Sequence, residues 1–228
     1  MKGTIQARFV RLFQSMEKHE QVEVLSKKAT FFPYNKKMIQ DHAAMLKENY
    51  GYTLPASVEE IANFPMELGL FWKVKKSEDP EILGEFHLEN VINAISIPTA
   101  QVQVYNEDLD EATKSLMRRA HYFDAQPSQG WNTATVLLLD DGKAFPELWF
   151  MDDNRMHQME LSISTYFDAL FLTKGMYYWQ YLYCEPGAYA QADLYKKQYI
   201  ARMMEVLPSL FPEADYGNLR ERFEQVRS

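Results

Sequence analysis

Thr135-Val136-Leu137-Leu138-Leu139, Asp140-Asp141-Gly142 and Glu147-Leu148-Trp149-Phe150-Met151 decide the fold class. Two apolar runs of strand length flank an Asp-Asp-Gly turn signal, which predicts a β-hairpin. Upstream, Ile82-Leu83-Gly84-Glu85-Phe86-His87-Leu88 and Ala100-Gln101-Val102-Gln103-Val104 alternate with period two, and His121–Ala125 reads as another strand. Helical spacing dominates on both sides of this block. Ile5, Phe9, Leu12, Phe13 and Met16 make one apolar stripe over residues 4–18, and Ile39, Ala43, Leu46 and Tyr50 make another over 36–50, closed by Gly51. Between them, Gln21–Val24 alternates briefly and Pro33 marks a connection.

Further helices are expected over 53–64, opened by Leu54-Pro55 and broken near Pro65, and over 109–119. Gly69 should close the segment before a strand at Leu70–Val74. Residues 162–173 and 176–184 read as very apolar, helical or partly extended, and a last long helix over 189–206 carries Leu194, Ile200, Met203 and Leu207. A short helix near 216–227 ends the chain. Helices, then strands, then helices, without one-to-one alternation, predict an α+β fold with a mainly antiparallel sheet. No Gly/Ser linker interrupts it, so a single domain is expected, with an N-terminal helical extension at 1–36, an α+β body at 37–185 and packed C-terminal helices at 186–228.

Composition narrows the chemistry. The 32 acidic residues outnumber the 24 basic ones, for a net charge of −8, which argues against generic nucleic-acid binding. The 9 glycines are too few and too scattered for a dinucleotide fingerprint or a phosphate loop, and no G-x-S-x-G elbow occurs. Cys184 is the only cysteine, so no internal disulfide calls for an oxidising compartment, and it reads as a buried small hydrophobe. Arg8 and Arg11 break up any signal-like run near the start, and Leu161–Cys184 is too rich in Tyr, Ser and Thr to be read as a membrane span. A cytoplasmic protein without cofactor is expected. The basic residues of 4–18 could favour a membrane surface, but packing of that helix on the domain is the preferred reading.

Three sets of residues compete as functional candidates. Asp152, Asp153 and His157 could hold a metal for hydrolysis, but no H-E-x-x-H spacing is present and Asp-Asp-Asn is an ordinary turn sequence. Asp140-Asp141 and Asp152-Asp153 flank the hairpin strand, so they could cluster as an acidic rim for a basic partner. The run Met176–Tyr183 is the densest aromatic cluster; most of it is expected in the core, with a few Tyr hydroxyls at the surface. The candidate partner-binding positions are therefore Asp140, Asp141, Asp152, Asp153, Tyr178 and Glu185.

Tyr50-Gly51-Tyr52-Thr53-Leu54-Pro55, then Val58, Ile61, Gly69 and Trp72, resembles the N-terminal signature of the Smi1/Knr4 (SUKH) superfamily. Gly84–Val91 is similar to that family's first long strand, Ala144–Asp152 to its central hairpin and Leu161–Leu170 to its closing helix. The resemblance covers residues 37–185 and implies helices packed on a curved sheet. It also implies an immunity protein that occludes a cognate toxin domain, a nuclease or a deaminase, without catalytic residues of its own. Leu54, Pro55, Gly69 and Trp72 would then be fold-forming. The alternatives are an intracellular scaffold or regulatory module of the same fold and, third, the metal-dependent hydrolase.

Overall fold

Among the described residues, seven strands lie side by side in chain order: β1 (Val22–Thr30), β2 (Glu67–Val74), β3 (Leu83–Glu89), β4 (Ala120–Ala125), β5 (Thr133–Leu138), β6 (Glu147–Asp152) and β7 (Arg155–Gln158). Every neighbouring pair is antiparallel. The sheet is curved but does not close, and the fold is α+β, as the sequence predicts. The structure is a computed structural model and describes residues 4–30, 36–51, 67–76, 81–96, 109–129, 133–139 and 146–228. The helix expected over 53–64, the strand at 100–104 and the turn with Asp140 and Asp141 lie outside those residues.

One face of the sheet carries the main core. Leu68, Leu70 and Trp72 of β2, Phe86 and Leu88 of β3, Phe123 of β4 and Phe150 of β6 are all buried there. Helix α1 (Ile5–Lys18) lays Phe9, Leu12, Phe13 and Met16 against it, capped at its start by Thr4. Phe9 meets Phe86, Phe167 and Phe171, so this basic helix is packed on the domain. Arg8 is turned inward as well, pairing with Asp168 at 2.7 Å over the Phe171 ring. The opposite face is covered over β4–β7 by a smaller cluster in which Met117 of a helix at Glu111–Arg118 packs on Ala134, Val136, Leu138 and Met151.

The elements α2 (Lys36–Tyr50), α3 (Val91–Ser96), α4 (Glu111–Arg118), α5 (Ile163–Thr173), α6 (Ala188–Gln191), α7 (Leu194–Leu210) and α8 (Gly217–Arg227) complete the described helices. Gly51 follows α2 with φ +73°, the left-handed C′ conformation expected of it. Ser162 and Thr165 form a capping box for α5, which stops where Lys174 and Gly175 both take positive φ. At Gly175 a Cβ would stand 2.9 Å from the Phe86 ring, so glycine is required by space as well as by backbone.

Several boundaries differ from the sequence reading. Residues 22–30 form the long edge strand β1, where the sequence reading has a brief alternation at 21–24 followed by a connection. Leu25–Ala29 are exposed, so no buried face imposes a period-two pattern there; hydrogen bonding to β2 and a bulge between Val24 and Ser26 define the strand instead. Gly69 lies inside β2, opposite His87, rather than ending a segment. Residues 155–158 form the extra strand β7. The expected helix over 189–206 is two helices, because Ala192 leaves the helical conformation and Asp193 caps a new start. Met176–Cys184 is core throughout, passing through a 3₁₀ turn at Trp179–Tyr183.

Candidate functional site

The β6–β7 connection is a two-residue turn, Asp153-Asn154, with Asp153 at φ 55°. Asp and Asn tolerate this conformation better than other residues with a side chain, which explains why Asp-Asp-Asn can make the turn. The turn meets the break between α6 and α7. There Asp193 accepts a hydrogen bond from Lys196 N at 2.8 Å, so the N-cap also fixes the direction of the first turn of α7.

Lys196 ties the two elements together. Its Nζ donates to Asp152 Oδ2 at 2.6 Å and to Asp153 Oδ2 at 3.1 Å, and lies 3.7 Å from Asp193 Oδ2. Burial opposes the charge on this ammonium, but the Asp152 and Asp153 carboxylates outweigh it and hold the Lys196 pKa above its usual value. Asp152 is 3% exposed and also accepts from the Tyr181 hydroxyl; its buried Oδ1 has no hydrogen-bond partner among the described residues. Burial and then the Asp152 charge push the Tyr181 hydroxyl pKa well up, so it stays a donor.

A cavity of about 400 Å³ opens here, lined by Asp152, Asp153, Asn154, Arg155, Gln191, Asp193 and Lys196. Arg155 closes one side by donating to the Gln191 carbonyl. Just outside stand Leu194 and Tyr195, exposed by 71% and 51%. These are large apolar groups left in water beside carboxylates, the composition of a binding patch. The Tyr195 ring sits 6.5 Å from that of Tyr178, edge to face.

Three of the six candidate positions, Asp152, Asp153 and Tyr178, are gathered around Lys196, and Glu185 lies beside the far end of β7. Asp153 is an exposed carboxylate, whereas Asp152 is an internal ion-pair partner. Tyr178 is 5% exposed, with its hydroxyl donating to Gln129 at 2.7 Å and its ring facing Lys196 Nζ at 5.6 Å, so it supports the site from beneath. Glu185 is half-buried; its Oε1 lies 3.5 Å from His157 Nδ1. Asp140 and Asp141 lie outside the described residues. Lys196, Asp193 and Tyr195 escape the sequence reading, which names Leu194 only as one of the apolar residues of the last helix. The pattern Asp193-Leu194-Tyr195-Lys196, an N-cap residue opening a helix, is the signal that could have exposed them.

His157 is buried, and desolvation lowers its pKa although Glu185 pulls the other way. Lys196 occupies the space between Asp152 and Asp153, and among the described residues no group of three or more His, Cys, Asp or Glu side chains is placed to hold a metal ion. Cys184 is buried and its thiol pKa is pushed up by burial. Protein-family models, curated proteins and solved structures were compared with the chain, and none matches. No helix among the described residues is long and apolar enough to cross a membrane.

Proposed function

We propose that the chain is a non-catalytic binding protein of the Smi1/Knr4 type, acting in the cytoplasm as an immunity protein that occludes a basic toxin domain. The observation that carries the binding part is the exposure of Leu194 and Tyr195 beside the Asp153 and Asp193 carboxylates, whose side chains are 74% and 58% exposed. An apolar centre with an acidic rim suits a partner that presents an apolar contact ringed by Lys or Arg. The family assignment is supported by the resemblance running from Tyr50-Gly51 to Trp72. Of that stretch, Gly51 ends α2 in the left-handed conformation and Trp72 is fully buried, in keeping with fold-forming roles.

The test is to search the reading frames beside this chain's own gene for a basic toxin domain and to co-express the two; finding none would remove the immunity reading. Growth should be rescued by the native chain and lost with the Leu194→Ser, Tyr195→Ser double variant, whose fold is checked by its unfolding midpoint. Failure to rescue and failure to form a complex with that domain would remove the immunity reading. Binding to several partners without rescue would make the chain a regulatory scaffold instead.

A further inference from the structure

We infer that Tyr178 is a positioning residue of the binding face: from beneath, it holds the exposed ring of Tyr195 in one orientation, so that Tyr195 meets a partner as a rigid anchor. This rests on the reading that the face binds protein, and it adds the residue that prepares it. Tyr195 stands in the first turn of α7 and is 51% exposed, yet its ring is not free. One helical turn on, Tyr199 packs against it with ring centroids 6.3 Å apart. Tyr178, at the entry to the 3₁₀ turn, meets it edge to face at 6.5 Å and 85°. Tyr178 and Tyr199 also meet each other, at 5.7 Å and 89°. The three rings therefore contact one another pairwise, two of them buried and Tyr195 exposed.

The backbone of Tyr178 takes φ 64°, the left-handed region that a bulky side chain enters at a cost. Such a conformation persists only where the surroundings over-determine it, and here they do. The Tyr178 hydroxyl donates to Gln129 at 2.7 Å, Lys196 Nζ lies over the ring at 5.6 Å, and Tyr199 closes a third side. Tyr199 is itself fixed, because its hydroxyl donates to Leu83 O on β3 at 2.6 Å. A glycine would make the same turn without strain. What tyrosine adds is a ring that touches both halves of the face: Tyr195 of its apolar centre, and Lys196, which holds Asp153 of its rim. An anchor ordered before contact avoids the rotamer entropy that a mobile side chain loses at an interface, and the gain shows as slower dissociation. For one side chain this amounts to about threefold to tenfold in affinity.

The test reads the Hα–Hβ couplings of Tyr195 by NMR in the full chain, which report its χ1 rotamer. The native chain should show one staggered rotamer. Tyr178→Gly keeps the left-handed backbone and deletes the ring, so it should average the couplings. Tyr178→Phe keeps the ring and should leave them unchanged. Tyr178→Asn, which also accepts the left-handed backbone, gives the same reading if Tyr178→Gly does not fold. Averaged couplings in the native chain, or couplings that loss of the Tyr178 ring leaves unchanged, would overturn the inference. In complex with the basic domain of the neighbouring reading frame, Tyr178→Gly should quicken dissociation by about threefold to tenfold. It should have no further effect once Tyr195→Ser is present. A merely structural role would quicken dissociation by the same factor with and without the Tyr195 ring. That additivity would overturn the positioning and leave the binding reading in place. If no complex forms, the binding reading falls, and the couplings alone decide whether Tyr178 orders Tyr195.

Discussion

Asp124, on β4, is fully buried and accepts hydrogen bonds from the Tyr166 hydroxyl at 2.6 Å and from His87 N at 2.9 Å. Burial nevertheless pushes its pKa up to about 7, from 3.8 in the unfolded chain. The native state therefore keeps a proton that the unfolded chain releases between about pH 4 and about pH 7. The stabilisation that this proton linkage gives is fully present below the unfolded value and disappears as the pH rises through the folded one. The shift corresponds to about 4 kcal/mol over the window, as an order of magnitude. Asp124→Asn removes the titration, so urea unfolding should show the variant gaining on the native chain from pH 5 to pH 8, at about 1.4 kcal/mol per unit until the curve levels. Parallel stability curves would sink the assignment. A second residue-scale prediction concerns Gly84, where a Cβ would stand 2.3 Å from Trp72 Nε1. That indole cannot step aside freely, because its N–H donates to Lys174 O at 2.8 Å. Gly84→Ala should cost about 2–4 kcal/mol and lower the urea midpoint without a change in slope.

Between elements, Lys196 holds α7 on β6. Lys196→Met removes the ammonium but leaves the Asp152 carboxylate buried, so the loss should reach about 3–5 kcal/mol. Adding Asp152→Asn to that variant removes the stranded charge and should recover most of the loss; simple additivity of the two losses in a double-mutant cycle would argue against the pairing. The Lys196–Asp152 pair spans 44 residues of chain, and no local pattern announces it. What the sequence does announce is burial. The stripe of α1 was legible because one buried face forces a helical period on it, and the continuous apolar run of β5 because both of its faces are covered. Strand β1 was not, since Leu25–Ala29 bury neither face. Strand β7 was missed because it is only four residues long, and the α6–α7 break because the apolar residues around it keep helical spacing across Asp193. The same limit governs the site. Asp153 was legible from its turn chemistry, whereas the exposure of Leu194 depends on where α7 docks, which only the tertiary structure decides.

At the scale of the molecule, part of the net charge of −8 becomes a local statement at one end of the sheet. Asp152, Asp153 and Asp193 gather there, with Lys196 and Arg155 as the nearby cations. Charge and apolar surface at such a patch act on different rates. Long-range attraction between exposed opposite charges speeds encounter and is screened by salt, whereas an apolar contact forms after encounter and sets how long the complex lasts. Association with a basic partner domain should therefore slow by about tenfold or more when salt rises from about 0.05 to about 0.5 M, with little change in dissociation. Leu194→Ser with Tyr195→Ser should do the reverse, leaving the association rate and its salt dependence in place while dissociation quickens. Stopped-flow mixing at several salt concentrations separates the two effects. An association rate that ignores salt would mean that the carboxylates at the β6–β7 turn do not meet the partner, and that the negative charge of the chain serves its solubility alone.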